Sequence, residues 1–286
     1  MSIVGRITQL CRYPVKSMAG ERLDHCTLGP RGVVGDRGWA LRDEQAGEIR
    51  GAKKLPALLR CTARYLGEPD GDVIPAAEIT LPDGGRVRSD DAGAAARLSE
   101  LLGRRVTVWP VQPATATDHY RRGAPDNPDM MAELRGIFGR TADEPLPDLS
   151  VFPAEVIEFT SPLGTYFDAF PLHLLTTASL AALGTHNPSA RFDVRRFRPN
   201  VVVDTGGAIG LVETEWLGKT LRIGSARIKI EAPCPRCVMT TLPQDGLAQD
   251  PSVLRTIVRH AAQNVGVYAT VASPGSITAG DAVELV

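Results

Sequence analysis

The stretch EAPCPRCVMTTLP, from Glu231 to Pro243, holds two thiols and a guanidinium within four positions: Cys234, Arg236 and Cys237. A thiolate is a soft ligand, suited to zinc, to disulfide exchange, or to a metal that already carries sulfur. A neighbouring cation favours the thiolate over the thiol. Structural zinc sites draw their ligands from two pairs, and this chain has one Cys-x-x-Cys and, among its 5 histidines, no His-x-x-x-His. A thioredoxin-like redox pair opens a helix in a βαβ unit. Here the pair follows ARIKIEA, which reads as a strand, and precedes the β-branched VMTT. Two readings keep the most weight: a cofactor ligand, or a turn that Pro233 and Pro235 make stiff.

Two other clusters bear on that choice. YPVKSMAGE puts Lys16 and Ser17 in a tight turn after the first strand. RFDVRRFRPNVVVD puts Arg191, Arg195, Arg196 and Arg198 ahead of a buried strand opened by Asn200. The planar fork of arginine bonds two phosphate oxygens at once. Each cluster taken alone also reads as an ordinary hairpin turn or a solvated basic loop. The other thiols, Cys11, Cys26 and Cys61, are scattered among apolar or β-like neighbours and read as small buried hydrophobes. With 5 cysteines, an odd count, a disulfide framework is not expected.

The elements that must position these groups follow from pattern and composition. A chain of 286 residues with 43% hydrophobic residues can bury a substantial core. A net charge of −1 argues against a nucleic-acid or membrane-surface footprint. No apolar run approaches the ~20 residues that span a bilayer, and Arg6, Arg12 and Lys16 interrupt any signal-peptide core. The expectation is a soluble, cytoplasmic chain. Short strands with Gly-Pro, Gly-Asp and Pro-Asp-Gly turns fill the first 110 or so residues. One helix interrupts them, SDDAGAAARLSELLG, with Ser89 as its cap and Gly103 as its stop. Residues 113–153 are rich in Pro, Asp, Gly and Arg and read as a linker or surface excursion, with a short helix from Pro128 to Phe138. The remainder mixes strands with two helices: LLTTASLAALG, ended by Gly184, and PSVLRTIVRHAAQN, capped by Asp250. The predicted fold class is α+β and β-rich, with domains at 1–112 and 154–286.

Five stretches in order, YPVKSMAGE, GDRGWAL, RFRPNVVV, CPRCVMTT and GSITAGDAVELV, together resemble the long form of the MOSC proteins, over nearly the whole chain. That resemblance implies an N-terminal β-barrel-like domain packed with a C-terminal MOSC β-barrel domain carrying a few helices. The subgroup it is similar to contains the mitochondrial amidoxime reducing component and its bacterial relatives. It implies a molybdenum cofactor (Mo-molybdopterin), with Cys237 as metal ligand and catalytic residue. It also implies cofactor contacts from Lys16, Ser17, Arg37, Arg198, Asn200, Pro235 and Arg236. The implied activity is reduction of a small N-hydroxylated substrate, N–OH to N–H plus water. The electrons would come from an external electron-transfer protein carrying flavin or iron–sulfur. No nucleic-acid or membrane partner is implied. Rival readings are a sulfur or molybdenum-cofactor carrier with a persulfide at Cys237, and a pyridoxal-phosphate protein with Lys16 as Schiff base. The chain departs from the family pattern at Ala169–Phe170, where eukaryotic relatives carry Thr-Ser. Contacts there would have to come from backbone, Thr176 or Thr177. It departs again at TTLPQ, which lacks the aspartate of Thr-Thr-Val-Asp-Pro.

Overall fold

The computed structural model describes residues 2–286. Its centre is a closed barrel of seven strands. Around the barrel they run Val201–Asp204, Leu172–Thr176, Asn264–Ser273, Ala226–Pro235, Thr220–Ile223, Ala282–Leu285 and Ser2–Arg12, the last pairing back onto Val201–Asp204. Alternation drives the closure. In Ala226–Pro235, Ala226, Ile228 and Ile230 point inward while Arg227 and Lys229 face water, the period-two pattern of a half-buried strand. Ile7, Leu10, Leu174, Val203, Leu221, Ile223, Val267 and Val283 complete the interior. One pair is parallel, Leu172–Thr176 with Val201–Asp204. The helix Thr177–His186 lies between them in sequence, as a parallel connection requires a crossover.

A second core lies beside the barrel. Val15, Met18, Trp39, Leu41, Leu55, Leu58, Leu59, Ile79 and Leu98 pack there between short antiparallel strands and the helix Ala92–Leu102. Met239 and Leu242, just past Cys237, pack against this core from the other domain. The first strand, Ser2–Arg12, belongs to the barrel and pairs with strands near residues 204 and 285. The two halves therefore interlock rather than follow one another along the chain.

Several local expectations are corrected. The cap of the helix Ala92–Leu102 is Asp91, whose side chain accepts from Gly93 N; Ser89 Oγ instead accepts from Ala77 N. The stretch Leu174–Thr176 is strand, and the helix starts at Thr177 and runs past Gly184 to His186. The β-branched VMTT forms a turn of 3-10 helix, Val238–Thr241. The excursion carries the helix Met130–Phe138, capped by Asp129, and it is tied down. Arg50 Nη2 donates to Asp126 at 2.7 Å, Lys54 pairs with Glu133, and Tyr120 and Phe159 pack on Tyr166 and Ala40. Helix Pro251–His260 is capped by Asp250, as the sequence predicts.

Candidate functional site

Three segments distant in sequence meet where the two cores touch. Lys16, in the turn after the first barrel strand, is buried, and its ammonium donates to Tyr166 O at 2.7 Å and to Asp168 Oδ1 at 2.8 Å. Lys53 reaches the other oxygen of Asp168 at 3.0 Å. Burial pushes the Lys16 pKa down, and Asp168 only partly offsets it. Burial would raise the Asp168 carboxyl, but the two lysines outweigh it and hold the group well below the usual range. Asp168 is a carboxylate that still meets solvent, its side chain 45% exposed.

Arg37 and Arg198 both lie over the Tyr13 ring, 5.1 and 4.2 Å from its centroid. Arg37 pairs with buried Asp36. Arg198 Nη1 donates to Met18 O at 2.6 Å, while its Nη2 is buried with no partner. Burial, with the nearby Arg37 charge, lowers the Arg198 pKa to about 10. Lys16, Lys53, Arg37 and Arg198 face only Asp36 and Asp168 here. That leaves an excess of two positive charges.

Cys237 follows the strand Ala226–Pro235, whose last residue is buried Pro235. Arg236 turns inward from the same bend. Its Nη1 donates to Cys234 Sγ at 2.8 Å, its Nη2 donates to Phe197 O at 2.9 Å, and its Nε is buried without a partner. Cys234 is buried between Arg236 and Tyr268, and burial raises its thiol pKa. Tyr268 stacks on Phe170 with ring centroids 5.0 Å apart. His173, behind Arg236, is held well below the usual imidazole range by burial and by that guanidinium, so it is neutral. Arg140 arrives from the excursion, donating to Arg236 O at 3.0 Å and to Gln263 Oε1 at 2.9 Å. Burial lowers the Lys53 pKa, but Asp168 and then Cys237 raise it by more.

The backbone is strained at the same place. Among the described residues, five non-glycine positions have positive φ: Ser17 at 69°, Arg37 at 53°, Arg198 at 55°, Ala262 at 44° and Gln263 at 71°. Arg37 and Arg198 carry clustered guanidiniums, and Ser17 directly follows Lys16. The last two sit beneath Arg236, whose N–H donates to Gln263 O. Each such residue costs about 1–3 kcal/mol and persists only where its surroundings over-determine it, which is characteristic of binding sites.

Residues 4–100 match the model of the MOSC N-terminal beta barrel domain, and residues 164–284 match that of the MOSC domain. The chain is a MOSC-domain protein. It is 27% identical over 305 residues to mitochondrial amidoxime reducing component 2 of Bos taurus, spanning 98% of this chain and 83% of that protein. The Homo sapiens protein of the same name matches at the same identity and coverage. A molybdenum cofactor sulfurase of Drosophila grimshawi is 38% identical over 86 residues, which span 30% of this chain and 10% of that protein.

Of the residues that the MOSC resemblance points to, Lys16, Arg37 and Arg198 form one cluster, and Pro235, Arg236 and Cys237 form the adjoining bend. Ser17 Oγ accepts from Ala52 N at 2.9 Å. Asn200 is 1% exposed, and its amide is engaged within the protein. Thr176 Oγ1 donates to buried Glu213 at 2.6 Å, and Thr177 Oγ1 donates to Asp204 at 3.3 Å, so neither hydroxyl faces the cluster. Sequence reasoning missed Asp36, Lys53, Arg140, Asp168 and Tyr268. Asp36 lies inside the stretch GDRGWAL, and Asp168 immediately precedes Ala169–Phe170. Arg140 had no local signal, because it reaches the bend from the excursion. No group of three or more His, Cys, Asp or Glu side chains could hold a metal among the described residues, so a metal at Cys237 would need ligands from a cofactor. The fit is good: a phosphate monoester carries about −1.5 to −2 charge, matching the excess of two positive charges. An unpartnered guanidinium nitrogen also waits on Arg198. No helix among the described residues is long and apolar enough to cross a membrane.

Proposed function

We propose that this protein uses a molybdenum cofactor to reduce N-hydroxylated compounds, taking N–OH to N–H plus water with electrons from a separate flavin or iron–sulfur protein. The observation that carries the reading is the convergence, beside Cys237, of Lys16, Lys53, Arg37 and Arg198 with two charges in excess and a buried guanidinium nitrogen free. The names of the full-length relatives, amidoxime reducing components, support the same chemistry. When bound, the cofactor supplies the two-electron chemistry that breaks an N–O bond. The residues of the chain do the rest. Lys16, Arg37 and Arg198 would hold the phosphate, Arg236 and Pro235 would fix the turn, and Cys237 would ligate the metal. Lys53, Arg236 and Arg140 lie near that thiol and would bring positive charge to the metal side of the site.

A second reading, a carrier with a persulfide on Cys237, draws on the partial likeness to molybdenum cofactor sulfurase. Pyridoxal phosphate has less support. Lys16 would first have to leave both Tyr166 O and Asp168 to act as an amine nucleophile. One experiment separates these readings. Protein from a molybdenum-sufficient host is assayed for metal and pterin, then for benzamidoxime reduction with reduced viologen and, separately, with NADH. Stoichiometric molybdenum with viologen-driven turnover and no NADH-driven turnover supports the proposal. A chain without metal or turnover, carrying labelled sulfur on Cys237, overturns it in favour of the carrier.

A further inference from the structure

Asp36 joins three segments that carry the cationic groups. Its side chain is fully enclosed. Oδ1 accepts from Tyr13 N at 2.8 Å, and Oδ2 accepts from Asn200 Nδ2 at 2.9 Å. Arg37 Nη1 also donates to Oδ2. Asn200 is engaged on every side. Besides Asp36, its amide donates to Cys11 O at 3.3 Å, and its Oδ1 accepts from His173 N at 3.2 Å. A side-chain amide has two hydrogens, and both are taken. Family likeness suggests that Asn200 touches the cofactor; the hydrogen bonds around it suggest another role.

We infer that Asp36 and Asn200 form a positioning pair that locks Arg37 and Arg198 into their binding pose, Asn200 acting through Asp36 and not by contact with the cofactor. This rests on the cofactor reading of the site. The mechanism runs through Tyr13. Asp36 holds the Tyr13 backbone, and the Tyr13 hydroxyl donates to Pro199 O at 3.0 Å. The ring between those anchors is the surface on which both guanidiniums rest. Asn200 closes the loop by tying the segment after Arg198 to Asp36. The positive φ of Arg37 and Arg198 is sustained by this closed circuit, since strained backbone persists only where neighbours over-determine it.

A reciprocal exchange tests the inference. Molybdenum per chain after dialysis is measured for wild type, Asp36→Asn, Asn200→Asp and the double variant, with the thermal midpoint of each. Asn200→Asp sets two carboxylates against each other, and Asp36→Asn sets two amides together. Loss of a buried hydrogen bond between a charged and a neutral group should lower retention about tenfold or more in each single variant. The double variant restores one donor and one acceptor in reversed order. Arg37 then faces an amide and Cys11 O a carboxylate, so recovery is partial: about twofold or more over Asn200→Asp, the lower end of the coupling between contacting residues. If Asn200 binds the cofactor itself, the double variant will retain no more metal than Asn200→Asp, which overturns the inference. Should Asn200→Asp not fold, isosteric Asp36→Asn decides alone, and undiminished retention overturns it. A wild-type chain without molybdenum or pterin is a different result: it removes the cofactor reading on which the pair depends.

Discussion

Cys234 and Cys237 share a bend but not an environment. Cys234 is buried against Arg236 and Tyr268, whereas Cys237 is partly exposed and lies within the field of Lys53 and Arg140. Cys237→Ala should therefore abolish molybdenum retention and reduction of N-hydroxylated compounds. Cys234→Ala should keep measurable levels of both, read by metal content and viologen-driven turnover; equal loss from the two would sink the assignment. His173 gives a pH prediction. Burial and Arg236 keep it neutral in the folded protein, while the unfolded chain binds a proton below about pH 6.5. Its contribution is thus fully present above about pH 6.5 and is lost as pH falls, at about 1.4 kcal/mol per unit while the folded imidazole stays neutral. Urea midpoints between about pH 7 and pH 5 should fall less steeply in His173→Asn than in wild type. At this scale the thiol pair, Lys16 and Arg198 were legible from residue type and spacing, but the other arginines of that stretch lie elsewhere: Arg191 and Arg195 pair with Asp193, and Arg196 donates to Thr240 O and Ala248 O. Asp36 and Asp168 were not legible, because a lone aspartate gains its meaning only from the cations that the fold brings to it.

Helix starts and strand limits were legible only where one local signal had no rival. Asp250 before Pro251 was unambiguous. SDDAG reads as a helix start capped by Ser89, and tertiary contact decided otherwise. Ser89 Oγ is taken by Ala77 N across the strand, which leaves Asp91 to cap the helix. Asp91→Ala should cost about 1 kcal/mol, the usual loss for a cap, seen as a lower thermal midpoint with an unchanged far-UV spectrum. Leu174–Thr176 was misread because Leu and Thr suit an apolar helix face as well as a buried strand; its pairing with strands on both sides settles the matter. Gly266 matters more than any helix cap. Its φ is +77°, and an added Cβ would lie 2.2 Å from His173 Nε2 and 2.5 Å from Leu174 O. Gly266→Ala should therefore destabilise by more than about 2 kcal/mol and shift the strand that carries Tyr268. A change under about 0.5 kcal/mol in the free energy of unfolding by urea would show that this strand yields easily.

The two-domain character of the whole molecule was legible from the break in composition after residue 112, but the interlock was not. Strand partners far apart in sequence leave no local trace, and Ser2–Arg12 looks like the first strand of whatever follows it. Its actual place, between Ala282–Leu285 and Val201–Asp204, has a physical consequence. A fragment of residues 113–286 would leave both neighbouring strands with open edges, and unpaired edges recruit other chains. That fragment should aggregate or unfold without a cooperative transition. The register offers a repair. Ser2 lies opposite Leu285 in an antiparallel pair, so the missing strand can be returned as the second arm of a hairpin. Joining residues 2–12 directly after Leu285 through Asn-Gly, a sequence that favours the two-residue turn of such hairpins, should restore a closed barrel. Gel filtration and thermal melts would be compared for the fragment with and without the added strand. The repaired fragment should be monomeric and melt cooperatively, although it would bind no cofactor, because Lys16 and Arg37 are absent from it. If the bare fragment were already monomeric and cooperative, the first strand would not be what closes the barrel in solution.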